Sequence, residues 1–259
     1  MVSSDAQPIL EARGITKTYG HVQALDGADF VAYRGQVTAL VGDNGAGKST
    51  LTKVISGVIA PDAGELVFDG GPVHIHSPAE AQQLGIETVY QDLALAPDLD
   101  GAANIYLGRE VFRRGLLGRL GVLDNRAMRS GAAGSFKELG VAIRDPSASV
   151  AYLSGGQRQG VAVARAATWA TKLILMDEPT AALGVVQTKN VLDTIRRVRD
   201  RGIAVMLISH NMPEVLDVAD RIEVLRLGRR VASFTREDAT LENLVAAMTG
   251  LDVQPGKVA

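Results

Sequence analysis

Gly42-Asp43-Asn44-Gly45-Ala46-Gly47-Lys48-Ser49-Thr50 is the stretch from which the rest of this chain is read. It fits G-x-x-x-x-G-K-[ST], the spacing of a loop that cradles phosphates. Gln36 to Val41, just before it, is a short apolar run of buried-strand character, and Ser49 to Ile59, just after it, has helical character that Pro61 and Gly64 are expected to stop. Strand, glycine-rich loop and helix form the context that gives this spacing chemical meaning. The glycines let the backbone curl so that successive N–H groups point at phosphate oxygens, and the helix start adds positive potential. Lys48 is placed to bridge the β- and γ-phosphates of a nucleotide, and the Ser49 hydroxyl to ligate magnesium. An accidental glycine turn is the competing reading, and the flanking strand and helix count against it.

A second element is the apolar run Leu173-Ile174-Leu175-Met176, which ends in Asp177-Glu178. A carboxylate at the C-terminal end of a strand beside a phosphate loop can hold magnesium, usually through water, which gives Asp177 its candidate role. Glu178, the next acid, can orient and deprotonate an attacking water. An apolar strand ending in acids can also be purely structural, and the phosphate loop is what tilts the balance.

The third element is Leu153-Ser154-Gly155-Gly156-Gln157-Arg158-Gln159, which precedes a predicted helix through Ala162 to Thr168. Ser154 is suited to cap that helix, and Gly155 and Gly156 permit close backbone approach to an anion. One small site has no evident need for two glycine-rich helix starts so far apart in the chain.

Around these motifs, strands are predicted at Ile9 to Ala12, Ala28 to Tyr33, Glu87 to Tyr90 and Ile203 to Ile208. A hairpin turn is predicted at Asp69-Gly70-Gly71 within Glu65 to Ile75, and helices at Pro78 to Leu84 and Val186 to Arg201. From about Asp92 to Gly156 strand patterns vanish, and helical stretches take over at Asp100 to Glu110 and Asp124 to Leu139. Gly131 and Gly134 weaken the second by about 1 kcal/mol each relative to alanine. The returning strand–helix rhythm implies an α/β fold, a mostly parallel sheet covered by helices and interrupted by a helical lobe.

Composition agrees. The 259 residues are 46% hydrophobic and 22% charged, which suits one globular domain with an inserted lobe. There is no cysteine, so disulfides and cysteine-ligated metal centres are excluded. A formal net charge of -2 gives no electrostatic footprint for nucleic acid, and none is expected as a partner. The apolar runs are strand-length, well short of the roughly 20 residues of a membrane helix. Met1 to Pro8 is polar and carries no signal-peptide pattern, so a cytoplasmic chain is expected, with membrane association supplied by a partner.

Taken together and in this order, the motifs resemble those of the ATP-binding-cassette ATPases over nearly the whole chain. The resemblance implies a P-loop NTPase (RecA-like) core with a small antiparallel β subdomain, together spanning 8–91 and 157–250, and a helical subdomain at about 92–156. A flexible tail is expected at 251–259. It implies ATP and Mg2+ as ligands and Ser154, Gly155, Gly156 and Gln157 as a signature that completes the ATP site of the opposite subunit in a head-to-tail homodimer. Gln91 resembles the glutamine that senses magnesium and water, His210 the switch histidine that contacts the γ-phosphate, and Tyr19 the aromatic that stacks on adenine. Lys48, Gln91, Glu178 and His210 are thus the catalytic candidates, and Ser49, Gln91 and Asp177 the magnesium candidates.

One departure stands out: Gly184 follows Ala181-Ala182-Leu183 where the family commonly has aspartate. Asp177 to Val185, Val89 to Glu110 and Ser209 to Ala219 further resemble monosaccharide importers of the ribose, xylose and fructose type, many of which carry two cassettes in one chain. The single cassette here is expected to pair with a copy of itself, to serve integral-membrane permease subunits, and indirectly a sugar-binding protein, at the inner face of the membrane. The rival readings are a cassette ATPase acting on nucleic acid or ribosomes, and a nucleotide-binding regulatory module without turnover. The first lacks any tandem cassette, coiled coil, zinc cysteine or basic arm, and intact Glu178 and His210 oppose the second. Leu93, Leu95, Leu99 and Ile105 are expected to give a mixed apolar face where the lobe meets a permease helix. His74 and His76 are read as strand surface and Trp169 as core; the cluster Arg109, Arg113, Arg114 and Arg119 is read as a solvated loop, with a face toward lipid head groups or a membrane partner as the alternative.

Overall fold

The computed structural model describes residues 7–251 apart from 144 and 146. The chain opens as a long hairpin, β1 (Pro8–Tyr19) and β2 (Val22–Tyr33), followed by β3 (Val37–Val41) and α1 (Lys48–Ile55). A short hairpin, β4 (Ala63–Phe68) and β5 (Gly71–Val73), precedes α2 (Pro78–Gln83) and β6 (Ile86–Val89). Then come α3 (Gly101–Tyr106), α4 (Leu116–Arg119), α5 (Asn125–Leu139), a 3-10 turn at Val150–Tyr152 and α6 (Gly155–Trp169). The chain continues through β7 (Leu173–Asp177), α7 (Val185–Asp200), β8 (Ala204–Ile208) and α8 (Met212–Val218). It closes with β9 (Arg221–Arg226), β10 (Arg229–Thr235) and α9 (Leu241–Thr249). Most of the expected tail, 252–259, lies outside the described residues.

Six strands form the central sheet in the order β10-β9-β3-β8-β7-β6, parallel throughout except for the antiparallel β10–β9 pair at one edge. β3, β7 and β8 at its centre are buried on both faces, as parallel strands between layers must be, so they read as nearly unbroken apolar runs. Side chains alternate between two cores. Val37, Ala39, Val41, Ile174, Met176, Val205 and Leu207 pack toward α6, α7, α8 and α9. Leu40, Leu173, Leu175, Ala204, Met206 and Ile208 pack toward α1 and the second sheet. That second sheet is antiparallel, in the order β2-β1-β4-β5.

Local chemistry sets the boundaries. α1 stops at Ile55, four residues short of the predicted Ile59, because Gly57 turns left-handed (φ 72). The Gly57 N–H then donates to Val54 O at 3.1 Å and Val58 N–H to Lys53 O at 2.9 Å, closing the helix in a Schellman motif. The β4–β5 turn uses Asp69 (φ 53) and Gly70 (φ 81), the conformation that suits the right-handed twist of a two-residue hairpin. Gly131 belongs in α5 because a Cβ there would stand 2.1 Å from the Tyr106 hydroxyl; its propensity cost is offset by the close packing of α5 on α3.

β9 and β10 went unread in the sequence for a physical reason. Glu223 interrupts the apolar pattern of β9, yet it is only 3% exposed. The Ser233 hydroxyl donates to it at 2.9 Å, and an Arg230 guanidinium N–H lies 3.4 Å away. Burial raises the Glu223 carboxyl above the usual carboxylate range despite these partners.

Candidate functional site

Parallel strands that end in register deliver their following loops to one edge. Leu40 and Asp177 both face Ile208, and Val89 faces Met176, so the segments after β3, β8, β7 and β6 emerge side by side. Those segments carry Gly42 to Ser49, Ser209-His210, Asp177-Glu178 and Tyr90-Gln91. The carboxyl edge of such a sheet is where open α/β folds bind ligands.

The glycine-rich loop is held by backbone from two sides. A Cβ at Gly42 would lie 2.1 Å from the Leu225 carbonyl, and one at Gly47 (φ 104) would lie 2.6 Å from the Ala24 carbonyl. Gly228 N–H donates to the Ala46 carbonyl at 3.0 Å, so the β9–β10 turn props the loop from below. Only glycine fits these approaches, and within the loop the Ala46 N–H donates to the Asp43 carbonyl at 3.1 Å. Lys48 is 9% exposed, and its ammonium donates to the carbonyls of Gly42 (2.6 Å) and Asp43 (2.9 Å). Burial holds it below the usual lysine range, against the opposing pull of Glu178, Asp177 and Asp43.

Across the hollow stand the acids. Burial first, and Glu178 second, push the Asp177 carboxyl above the usual carboxylate range, while Lys48 and Lys53 pull it down. Glu178 has a left-handed backbone (φ 51), fixed by its N–H donating to the Ile208 carbonyl at 3.0 Å. Such a conformation costs on the order of 1–3 kcal/mol in a residue other than glycine and persists only where the surroundings enforce it. His210 Nδ1 lies 2.8 Å from Glu178 Oε2, with the carboxylate side chain 15% and the imidazole 69% exposed. Thr180 donates its hydroxyl to Glu214 of α8, which also accepts from the Asn211 amide at 2.6 Å, so the loop after β7 is tied to the start of α8, a contact between distant residues that no local pattern in the sequence signals.

Gln91 is exposed at the start of a loop whose strain lies at Leu93 (φ 62) and Ala94 (φ 44). Arg165 of α6 clamps both carbonyls, at 2.9 and 2.6 Å, and the fully buried Asn104 brackets Ala96 through its N–H (2.7 Å) and carbonyl (3.0 Å). The expected apolar face of this region divides: Ile105 is core at 1% exposure, Leu93 and Leu95 are partly buried against the core, and Leu99 alone is exposed, at 36%. Leu93, Leu95, Pro97, Val150 and Ala151 instead line a shallow hollow. Tyr19, at the tip of the β1–β2 hairpin, is 46% exposed with the Lys17 ammonium 6.0 Å from its ring centroid.

The second glycine-rich helix start lies elsewhere. Ser154 caps α6 in a reciprocal box, its hydroxyl accepting from Gln157 N–H (3.3 Å) and the Gln157 amide oxygen accepting from Ser154 N–H (3.0 Å). Its neighbours are Leu183 beside Gly155 and Gln187 beside Gly156. No residue of the loop Gly42 to Thr50 lines the wide cleft that Ser154, Gly156 and Gln157 share with Val186 and Asn190. Gly184 is the N-cap of α7, with extended backbone and no side chain to cap it.

Trp169 is half-buried and structural, donating its indole N–H to the Ile105 carbonyl at 2.8 Å. His74 and His76 are exposed and stacked on each other, and among the described residues no three potential ligands cluster as a metal site. Arg109 does not belong to a solvated cluster: it pairs with the buried Glu87 at 2.5 Å and lies over the Trp169 ring.

Residues 25–181 match the family model described as ABC transporter. The chain is 52% identical over 251 residues to a fructose import ATP-binding protein of Rhizobium meliloti, covering 96% of each. It is 46% identical over 250 residues to a xylose/arabinose import ATP-binding protein of Sulfolobus acidocaldarius, again covering 96% of each. A dimeric ATP-binding cassette in a post-hydrolysis state, bound to ADP and phosphate, superposes with a TM-score of 0.74 at 25% identity, over 88% of this chain and 98% of that one.

Proposed function

This chain belongs to the ABC transporter family, and from that membership we infer that it is the ATP-hydrolysing subunit of a monosaccharide importer. One observation carries the catalytic part: Glu178, paired with His210, stands at the same sheet edge as the glycine-built loop and Lys48.

In this reading Gly42 to Thr50 surrounds the ATP phosphates with backbone N–H groups, and Lys48 exchanges its bonds to Gly42 and Asp43 for phosphate oxygens. Phosphate charge beside the ammonium offsets the burial that weakens it in the free protein. Tyr19, exposed at its hairpin tip, offers a face to adenine. Magnesium, when bound with the nucleotide, neutralises phosphate charge; Ser49, Gln91 and, through water, Asp177 would hold it. The donor set, a hydroxyl, an amide and one carboxylate acting through water, is all oxygen and fits a hard ion that keeps several waters and takes its other ligands from the nucleotide phosphates. Glu178 takes a proton from the attacking water, a role worth about 10²–10⁴-fold. His210, mostly exposed and able to swing, holds that carboxylate and reaches toward the γ-phosphate.

The α6 start with Ser154, Gly155, Gly156 and Gln157 is remote from the chain's own phosphate loop, and its free N–H groups suit the nucleotide of a second copy. Two copies arranged head to tail then share two ATP sites, an arrangement consistent with the likeness to a dimeric cassette. Residues 92–156 act as the helical lobe on the core formed by 8–91 and 157–250, and Arg165 ties the Gln91 loop to α6 so that both shift together. The hollow beside Leu95, Pro97 and Ala151 receives a permease segment. Among the described residues no helix is long and apolar enough to cross a membrane, so the permease supplies the pathway and a sugar-binding protein the selectivity. The test is reconstitution with a permease and binding protein in vesicles. ATP hydrolysis should rise when the binding protein carries sugar. Ala151→Glu, at an exposed position, should abolish that rise with basal turnover unchanged. Sugar-independent hydrolysis throughout would count against import.

A further inference from the structure

Between α3 and α5 the chain makes an excursion, Val111 to Leu123 (VFRRGLLGRLGVL), that the nucleotide site does not use. Its stem is closed by backbone: Arg113 N–H donates to the Val122 carbonyl at 2.9 Å and Asp124 N–H to the Val111 carbonyl at 2.7 Å, while Phe112 bridges to Leu123. α4 folds back onto this stem so closely that a Cβ at Gly118 would stand 1.8 Å from the Arg113 carbonyl. The excursion is a defined projection with its own turn, helix and closure.

What it presents is unusual for a solvated loop. Leu116 is 73% exposed, Leu120 71%, Phe112 51% and Leu117 48%. Leu116 and Leu120 stand one helical turn apart and so share a side. Among these side chains lie Arg113, Arg114 and Arg119, all exposed. Elsewhere on the surface Arg13, Arg34 and Arg229 pair with carboxylates, while Arg126, Arg158, Arg197 and Arg236 are exposed singly without an ion pair among the described residues; only in this projection do three such arginines sit among exposed apolar side chains. No acidic residue lies between Glu110 and Asp124, and no ion pair engages the three arginines among the described residues. Arg113 and Arg119 line an open depression between Phe112 and Leu116.

We propose that this projection is an interfacial membrane anchor, which seats Phe112, Leu116, Leu117 and Leu120 in the headgroup region of an anionic bilayer while Arg113, Arg114 and Arg119 meet lipid phosphates. Apolar side chains left exposed by the fold, mixed with unpaired arginines whose long stems keep the charge at the surface, are what such an interface selects. The charge complementarity is to a continuous negative surface, because nothing acidic within the projection would set a register against one protein partner. The arginines stand out in the sequence, whereas the exposure of Leu116 and Leu120 is visible only in the fold. The inference goes beyond sugar import and does not depend on it, so either can fail alone.

The test is co-sedimentation of the purified full-length chain with vesicles of phosphatidylcholine alone or mixed with phosphatidylglycerol. The chain should bind the mixed vesicles and not the neutral ones, and raised salt should weaken binding. Arg113→Glu with Arg119→Glu, and separately Leu116→Asp with Leu120→Asp, should each lower partitioning at least about tenfold and leave ATP turnover unchanged. If the leucine pair disturbs folding, the arginine pair alone decides. Absence of binding to mixed vesicles overturns the proposal, as does equal binding by the arginine variant. Binding only to vesicles that contain the permease overturns it too, in favour of a protein contact.

Discussion

His210 Nδ1 lies 2.8 Å from Glu178 Oε2 across the ends of neighbouring strands, joining the loop after β8 to the loop after β7. Two groups so joined should act as one unit. Removing the imidazole with His210→Ala should lower ATP turnover by about 10²–10³-fold, the loss typical of one group that stabilises developing charge. In Glu178→Gln the same His210→Ala change should cost little more, because coupled catalytic groups are not additive. Phosphate-release rates of the two single variants and the double variant make the check. Multiplying effects would mean that the two residues work independently.

Asp177 gives a prediction about stability and pH. Its carboxyl is raised above the usual range, burial being the larger cause, so the folded protein holds that proton more tightly than the unfolded chain. The stabilisation from this proton is complete below the unfolded pKa and is lost as pH rises through the folded one, above which a partly buried charge remains. Asp177→Asn should therefore raise the melting temperature of the nucleotide-free protein. The rise should be no more than about 2 °C, since the group is partly exposed and screened. The gain should be larger at pH 8 than at pH 4, while magnesium-dependent hydrolysis is lost. Differential scanning fluorimetry across pH checks the sign, and an equal or larger gain in acid contradicts it.

Gly155 tests the shared site. A Cβ there would meet only Leu183 Cδ2, at an ordinary 3.6 Å, so Gly155→Asp should fold and should bind ATP as a single chain. A carboxylate at the α6 start would repel the γ-phosphate of a second copy, so hydrolysis should fall to background. Mixing this variant with Lys48→Ala leaves one composite site intact, and partial activity should return. No recovery at any mixing ratio argues against a head-to-tail pair.

Much of this was legible in the sequence because the chemistry is local. Gly42, Gly47 and Lys48 declare a phosphate loop whatever surrounds them, and the runs Val37 to Val41 and Leu173 to Met176 are pure enough to be strands on sight. What stayed hidden depends on distant partners. Glu223 masks β9 until Ser233 and Arg230 are seen around it. Arg109 looks like part of a basic loop until Glu87 and Trp169 are seen to hold it. Leu93 and Leu95 look like an exposed face until the clamp by Arg165 turns them toward the core.

Glu178→Gln addresses the central claim most directly. Glutamine keeps the size of the side chain and can still accept from His210, but it cannot take a proton from water. ATP should bind as tightly as in the wild type, turnover should fall by about 10²–10⁴-fold, and an ATP-dependent dimer should accumulate on size-exclusion chromatography. A variant that hydrolyses ATP near the wild-type rate, with no trapped dimer, would contradict the account.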